Sequence, residues 1–271
     1  MFEIGFMQGR SGPKYKGHYQ AHPVDNWAHE FFFASQNDFS SIEFIVDLDD
    51  YNLNPLFSDT GVNILNNIID ETGVSVRSIC ADCFMDLPLH SDDSKNKRLA
   101  NELLSDLLEA AKKINVEVIV IPCVDRSALS SCREKDVLVS ELINRTEELK
   151  KLNISLSLET DLPADEFGQL MQRLPNVIGV NYDIGNSASL GYNLLDEFNS
   201  YGNRINDIHI KDRLIDGGPV FLGTGNADLK NALISIKELN FNGPIIMQTF
   251  RDENGAQILL DQKDYLRKIG W

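Results

Sequence analysis

The chain has 271 residues, enough for one large α/β barrel or two small domains and for a substantial buried core. Acids outnumber bases 41 to 25, giving a formal net charge of −16, so the surface repels phosphate backbones and nucleic acid is not an expected partner. No run reaches the roughly 18 apolar residues that span a bilayer, and the opening MFEIGFMQGR lacks a signal-peptide profile, so a cytoplasmic protein with no membrane partner is expected.

In chain order, the first strand-like run is FEIGFMQ (2–8), followed by a long irregular stretch, 9–25. SIEFIVD (41–47) and VSVRSICAD (74–82) come next, then a second irregular stretch, 83–94. Leu99, Leu103, Leu107 and Ala110 repeat at helical spacing in 95–114, with Ser94 placed to cap the start. VEVIVIPC (116–123) leads to a helical pattern over 133–152 carried by Val137, Leu138, Leu142 and Leu149. ISLSLET (154–160), VIGVNYD (177–183) and INDIHIKD (205–212) are further strands, the last offering Ile205, Ile208 and Ile210 to an apolar layer. A glycine-rich loop, GGPVFLGTGNADL, enters a helix over 228–239 capped by Asp228, and PIIMQTF (244–250) and a helix near 256–268 close the chain.

Eight strand–helix units predict a single (β/α)8 barrel spanning 1–271, with parallel strands inside a ring of helices. A doubly wound open sheet is the rival, and no GxGxxG follows the first strand to support it. Cys80 and Cys83 form a CxxC that could serve a redox pair or half a zinc site. Because Cys80 and Cys123 fall in apolar strands, the four cysteines, including Cys132, are expected to be reduced structural thiols.

The C-terminal strand ends of such a barrel ring one mouth. There the sequence offers Glu159 from strand five, Asp183 from strand six, His209 from strand seven and Gln248 from strand eight. Inward Glu159 carries Ser157 and Ser155 inward and leaves Leu156 and Leu158 to the helices; inward Asp183 carries Asn181 and Gly179. Two carboxylates, an imidazole and an amide oxygen suit one divalent cation of the Mn²⁺, Mg²⁺, Co²⁺ or Zn²⁺ kind. A metal-free polar network is the alternative.

GFMQGR, IEFI, LET, YDIGN, HIKDR and the QTFR end of strand eight, in this order and spacing, resemble the xylose-isomerase-like TIM barrels. That group contains ketose 3-epimerases, hexulose-phosphate isomerases, inosose dehydratases and endonuclease IV. The resemblance implies a divalent metal held by Glu159, Asp183, His209 and the strand-eight position. It departs at Gln248, where the sugar epimerases carry a second glutamate, and at Asn186, where many relatives have histidine. An amide cannot take a proton near neutral pH, so a two-glutamate shuttle is not available in its usual form.

The expected chemistry is a metal-dependent isomerisation or epimerisation of a sugar or sugar phosphate through an enediolate, which makes the protein an isomerase. Glu159 is the candidate base and Lys211 a catalytic partner. Glu43 and Asp82, near the ends of strands two and three, stand beside the site as candidate substrate or proton-transfer groups. With them go Asn181 and Asn186, and Arg10, Arg213 and Arg251, bases on the rim expected to meet an anionic group. An inosose-dehydratase-like lyase and a catalytically impaired carbohydrate-binding barrel are the alternatives. A phosphodiesterase would need more clustered histidines than the five present. The residues leave the oligomeric state open, and the resemblance admits a homo-oligomer.

Overall fold

The computed structural model describes residues 2–271. Eight parallel strands close into a barrel in sequence order. They are β1 (Gly5–Met7), β2 (Ile42–Ile45), β3 (Ser78–Cys80), β4 (Val118–Cys123), β5 (Ser155–Thr160), β6 (Ile178–Asp183), β7 (Ile205–Ile210) and β8 (Ile245–Met247). Each lies inside the run expected of it. The doubly wound alternative is excluded by the pairing of β8 with β1, Gly5 opposite Ile246.

Among the described residues eleven α-helices follow the strands: α1 (Trp27–Gln36), α2 (Asp59–Thr72), α3 (Cys83–Asp86), α4 (Ser94–Lys113), α5 (Cys132–Asn144), α6 (Thr146–Leu152), α7 (Ala164–Gln172), α8 (Ile184–Ser189), α9 (Leu194–Tyr201), α10 (Leu229–Glu238) and α11 (Ala256–Ile269). Local chemistry sets their ends. Ser58 caps α2 by accepting from Gly61 N, and Gly73 closes it in the left-handed region at φ 71°. Ser131 and Glu134 form a capping box on α5. Asp228 caps α10 as expected, but the cap of α4 is Asp93, one residue before Ser94. The single helix expected over 133–152 is two, broken at Arg145, whose guanidinium turns aside to Asn101 and Ser105 of α4. The stretch 83–94 is not wholly irregular, since it contains α3.

The barrel wall separates two cores. Leu156, Leu158, Ile208 and Ile210 pack outward among the helices, whereas Met7, Ile45, Cys80, Val120 and Ile246 form a small apolar cluster of their own within the strand ring. That apolar cluster draws on β8 and β1–β4, whereas the lumen residues of β5–β7 are polar and are joined from β2 and β3 by Glu43 and Ser78. All four cysteines are free thiols, three buried and Cys132 exposed. Among the described residues no helix is long and apolar enough to cross a membrane.

One irregularity shapes the polar half. Ile205 pairs with Val180, but Asn181 pairs with Asp207, so β7 carries one extra residue. That bulge resolves the phase of INDIHIKD: Ile205 joins the outer core, Asn206 and Asp207 both turn into the barrel, and Ile208 resumes the outward set. Asn206 occupies the space above Gly179, where an added Cβ would lie 2.2 Å from its Cγ.

Candidate metal centre and substrate mouth

β5, β6 and β7 deliver Glu159, Asp183 and His209 to neighbouring positions; one donor atom from each lies within 4.8 Å of the others. All three are buried, with His209 fully so. Asp183 divides its two oxygens. Oδ1 accepts from Asn186 N and caps α8, which fixes the carboxylate; Oδ2 faces the mouth, 2.7 Å from Lys211 Nζ and 3.9 Å from His209 Nδ1. His209 Nδ1 and Gln248 Oε1 are buried without a hydrogen-bond partner, and Asp183 Oδ2 has only the Lys211 ammonium beside it. Burying such groups unsatisfied costs about 1–3 kcal/mol each, more for charged ones, so the donor set fits a divalent cation.

The other face of His209 is held from inside the barrel. Glu43 Oε1 lies 2.8 Å from Nε2, off the axis of an N–H bond, and Asp207 Oδ1 lies 3.4 Å away. Ser78 Oγ donates to Glu43 and Asn181 Nδ2 donates to Asp207. Two carboxylates at Nε2 favour a proton there and leave Nδ1 as the outward lone pair, the arrangement by which carboxylates orient metal-binding histidines. Glu43 and Asn181 therefore sit beneath the ligands rather than in the mouth. Burial opposes a charged imidazole, but Glu43 and then Asp207 outweigh it and raise the His209 pKa. Burial, then the Asp183 charge, raises that of Glu159; burial, then Glu43, raises that of Asp207.

Asn186 is the hub of the mouth. Its Nδ2 donates to Glu159 Oε1 at 2.5 Å, while its Oδ1 accepts from Lys211 Nζ at 3.2 Å and Arg213 Nη1 at 2.7 Å. Gly185 permits this closeness, since a Cβ there would stand 2.7 Å from Lys211 Cγ. Asp212, the middle charge of KDR, points away from the site. It accepts from Gly223 N, Gly225 N and Ala227 N and so shapes the loop into α10. Asp212 is fully buried, and Asp212→Ala should cost about 3 kcal/mol by stranding those donors; the urea unfolding midpoint reads it.

The rim bases are less available than their positions suggest. Arg10 is 1% exposed, donating to Thr249 O and Gln20 Oε1, and Arg251 is 3% exposed, donating to Gly12 O. Arg213 also donates to Gly217 O. Asp82 accepts from Gln20 Nε2 and Cys80 Sγ and lines the mouth.

Sequence reasoning passed over several residues of the site. Asp207 was hidden by the bulge that shifts its parity. Asp47 lies at the end of β2; burial and then Asp82 push its carboxyl up to about 7. Glu30 on α1 gathers Gly9 N and the Ser11 hydroxyl, anchoring the first loop. His22, in that loop, is buried and held near pKa 4 by desolvation. His90, in the stretch before α4, is buried as well.

The xylose isomerase-like TIM barrel model matches residues 31–269. The chain belongs to this family. Among curated relatives, L-ribulose-5-phosphate 3-epimerase UlaE of Salmonella heidelberg (strain SL476) is 22% identical over 264 residues, covering 89% of each chain. Among solved structures, 3-keto-D-glucoside 4-epimerase YcjR from E. coli superposes with a TM-score of 0.76 at 15% identity, covering 99% of this chain and 100% of its own. IOLI, described with a bound zinc atom, gives 0.78 at 15% identity over 99% and 98%. At such identity the solved structures speak for the fold. The epimerases among these xylose isomerase-like barrels are isomerase-class enzymes, the class expected from the sequence.

Proposed function

We propose that the protein is a divalent-cation-dependent epimerase or isomerase of a sugar or sugar phosphate, with Glu159 as the proton-transferring group. The observation that carries this reading is the convergence of Glu159, Asp183 and His209 at the mouth, with Gln248 Oε1 and His209 Nδ1 buried and without partners. A cation held by these four would supply Lewis acidity to neighbouring carbonyl and hydroxyl oxygens of a sugar, acidifying the C–H between them.

Glu159 takes that proton through a carboxylate oriented by the Asn186 amide. Return of the proton to the neighbouring carbon gives an isomer; delivery to the opposite face of the same carbon gives an epimer. Opposite-face delivery needs a second donor. Gln248 cannot be one, and the Lys211 ammonium, 2.7 Å from Asp183 Oδ2 at the mouth, is the group placed for it. Expulsion of a β-hydroxyl would instead make the protein a lyase, distinguished by a product lighter by one water.

The test is proton exchange into ketoses in deuterated water with Mn²⁺ present. Exchange at a carbon next to the carbonyl supports the proposal, and its absence from every sugar that binds contradicts it. Gln248 favours one second reading, a carbohydrate-binding barrel with impaired turnover. Under the leading reading the wild type exchanges, and Gln248→Glu tightens Mn²⁺ by on the order of tenfold through the added charge. Under the second, only the Gln248→Glu variant exchanges.

A further inference from the structure

We infer that the sugar this site takes is an uncharged, polyhydroxylated ketose and not its phosphate ester; the inference rests on the reading of the site given above. A cavity of about 320 Å³ opens between the loop after β1 and the ends of β2 and β3, with Asp82 in its wall. Asp82 follows β3 at the same mouth as the cation ligands. It accepts from Cys80 Sγ of the lumen cluster and from Gln20, whose Oε1 in turn accepts from Arg10 where that side chain reaches Thr249 O beside Gln248. This cavity therefore receives the part of a substrate that extends from the ligands toward β2 and β3.

Asp47, Asp49, Asp50, Asp82 and Asp86 line it against two bases, Lys16 and Arg126. Both bases are engaged: Lys16 Nζ lies 2.5 Å from Asp50 and Arg126 Nε 2.6 Å from Asp86. Three carboxylates remain without a basic partner. A second, independent feature is His22, which lines the same cavity, is only 4% exposed and has no partner at Nε2. Gln8 Oε1 accepts from Ile45 N and meets His22 Nδ1 at 3.0 Å. An acceptor at that distance places the imidazole proton on Nδ1 and leaves Nε2, buried in the wall of the cavity, as an acceptor without a partner.

The cavity therefore presents carboxylate oxygens, with an unpartnered imidazole acceptor in the wall beside them. Their complement is a row of hydroxyl donors. A phosphate would bring negative charge and acceptor oxygens against them. Nor does the rest of the rim offer a phosphate its usual hold. Lys211 pairs with Asp183, Arg213 is spent on Asn186 and Gly217, and Arg10 and Arg251 are buried in loop contacts. The helix that follows β7 is capped by its own Asp228.

The experiment compares L-ribulose with L-ribulose 5-phosphate, and D-fructose with D-fructose 6-phosphate, on the Mn²⁺-loaded protein. Exchange in deuterated water gives kcat/KM, and calorimetry gives equilibrium binding of all four. Free sugars exchanging at least tenfold more efficiently, and binding more tightly, is the expected result. Equal or better handling of the phosphates overturns the inference. If nothing exchanges, the enzymatic proposal falls while calorimetry still decides: tighter free-sugar binding supports the inference, and tighter phosphate binding, or no binding at all, overturns it. Asp49→Lys, an exposed change on the cavity rim, should narrow the preference threefold or more; an unchanged ratio would remove this cavity as its source.

Discussion

Replacing Glu159 by Gln lowers proton exchange into substrate by about 10³-fold, within the usual range for loss of a positioned general base. The reason lies in what the substitution preserves. A glutamine keeps the length of the side chain, its contact with Asn186 and an oxygen for the cation, but no longer accepts a proton. Thermal unfolding and Mn²⁺ binding should change far less than the rate. Exchange monitored by NMR in deuterated water checks this, and a rate within tenfold of wild type would take the base role from Glu159.

The second large effect is on stability. A ligand that binds only the folded state at a hundredfold excess over its Kd stabilises by about 2.7 kcal/mol. In a chain of this length that raises Tm by about 5–10 °C. Asp183→Asn should reduce the Mn²⁺-dependent shift to about 1–2 °C, because a hundredfold weaker site leaves RT ln 2, about 0.4 kcal/mol. The asparagine retains an oxygen to cap α8, so the metal-free protein should unfold near the wild-type temperature. Differential scanning calorimetry with and without Mn²⁺ reads both quantities.

The barrel was legible because each strand must bury one face against helices, which imposes alternation on short apolar runs bounded by loops. The same alternation placed Glu159, Asp183 and His209 at the lumen. It failed at Asp207, where one extra residue in β7 breaks the period, and no local composition marks a bulge. Glu43 had the right parity but the wrong depth. It lies in the lumen opposite Met7, below the rim, where it meets His209 instead of solvent. Arg10 and Arg251 follow their strands as expected, yet their guanidiniums turn to the carbonyls of Thr249 and Gly12, contacts more than two hundred residues away in sequence. Asp47, Asp82 and His22 come together only because the first loop folds over β2 and β3. Strand ends can be read from a sequence; the path of a long loop depends on contacts no window contains.

The most direct test of the central claim is anomalous diffraction from crystals soaked in Mn²⁺. The account predicts a peak between the strand ends of β5, β6, β7 and β8, at about 2.0–2.3 Å from Glu159, Asp183, His209 Nδ1 and Gln248 Oε1. A protein that binds Mn²⁺ elsewhere, or shows no peak among these four side chains at saturating Mn²⁺, would contradict it.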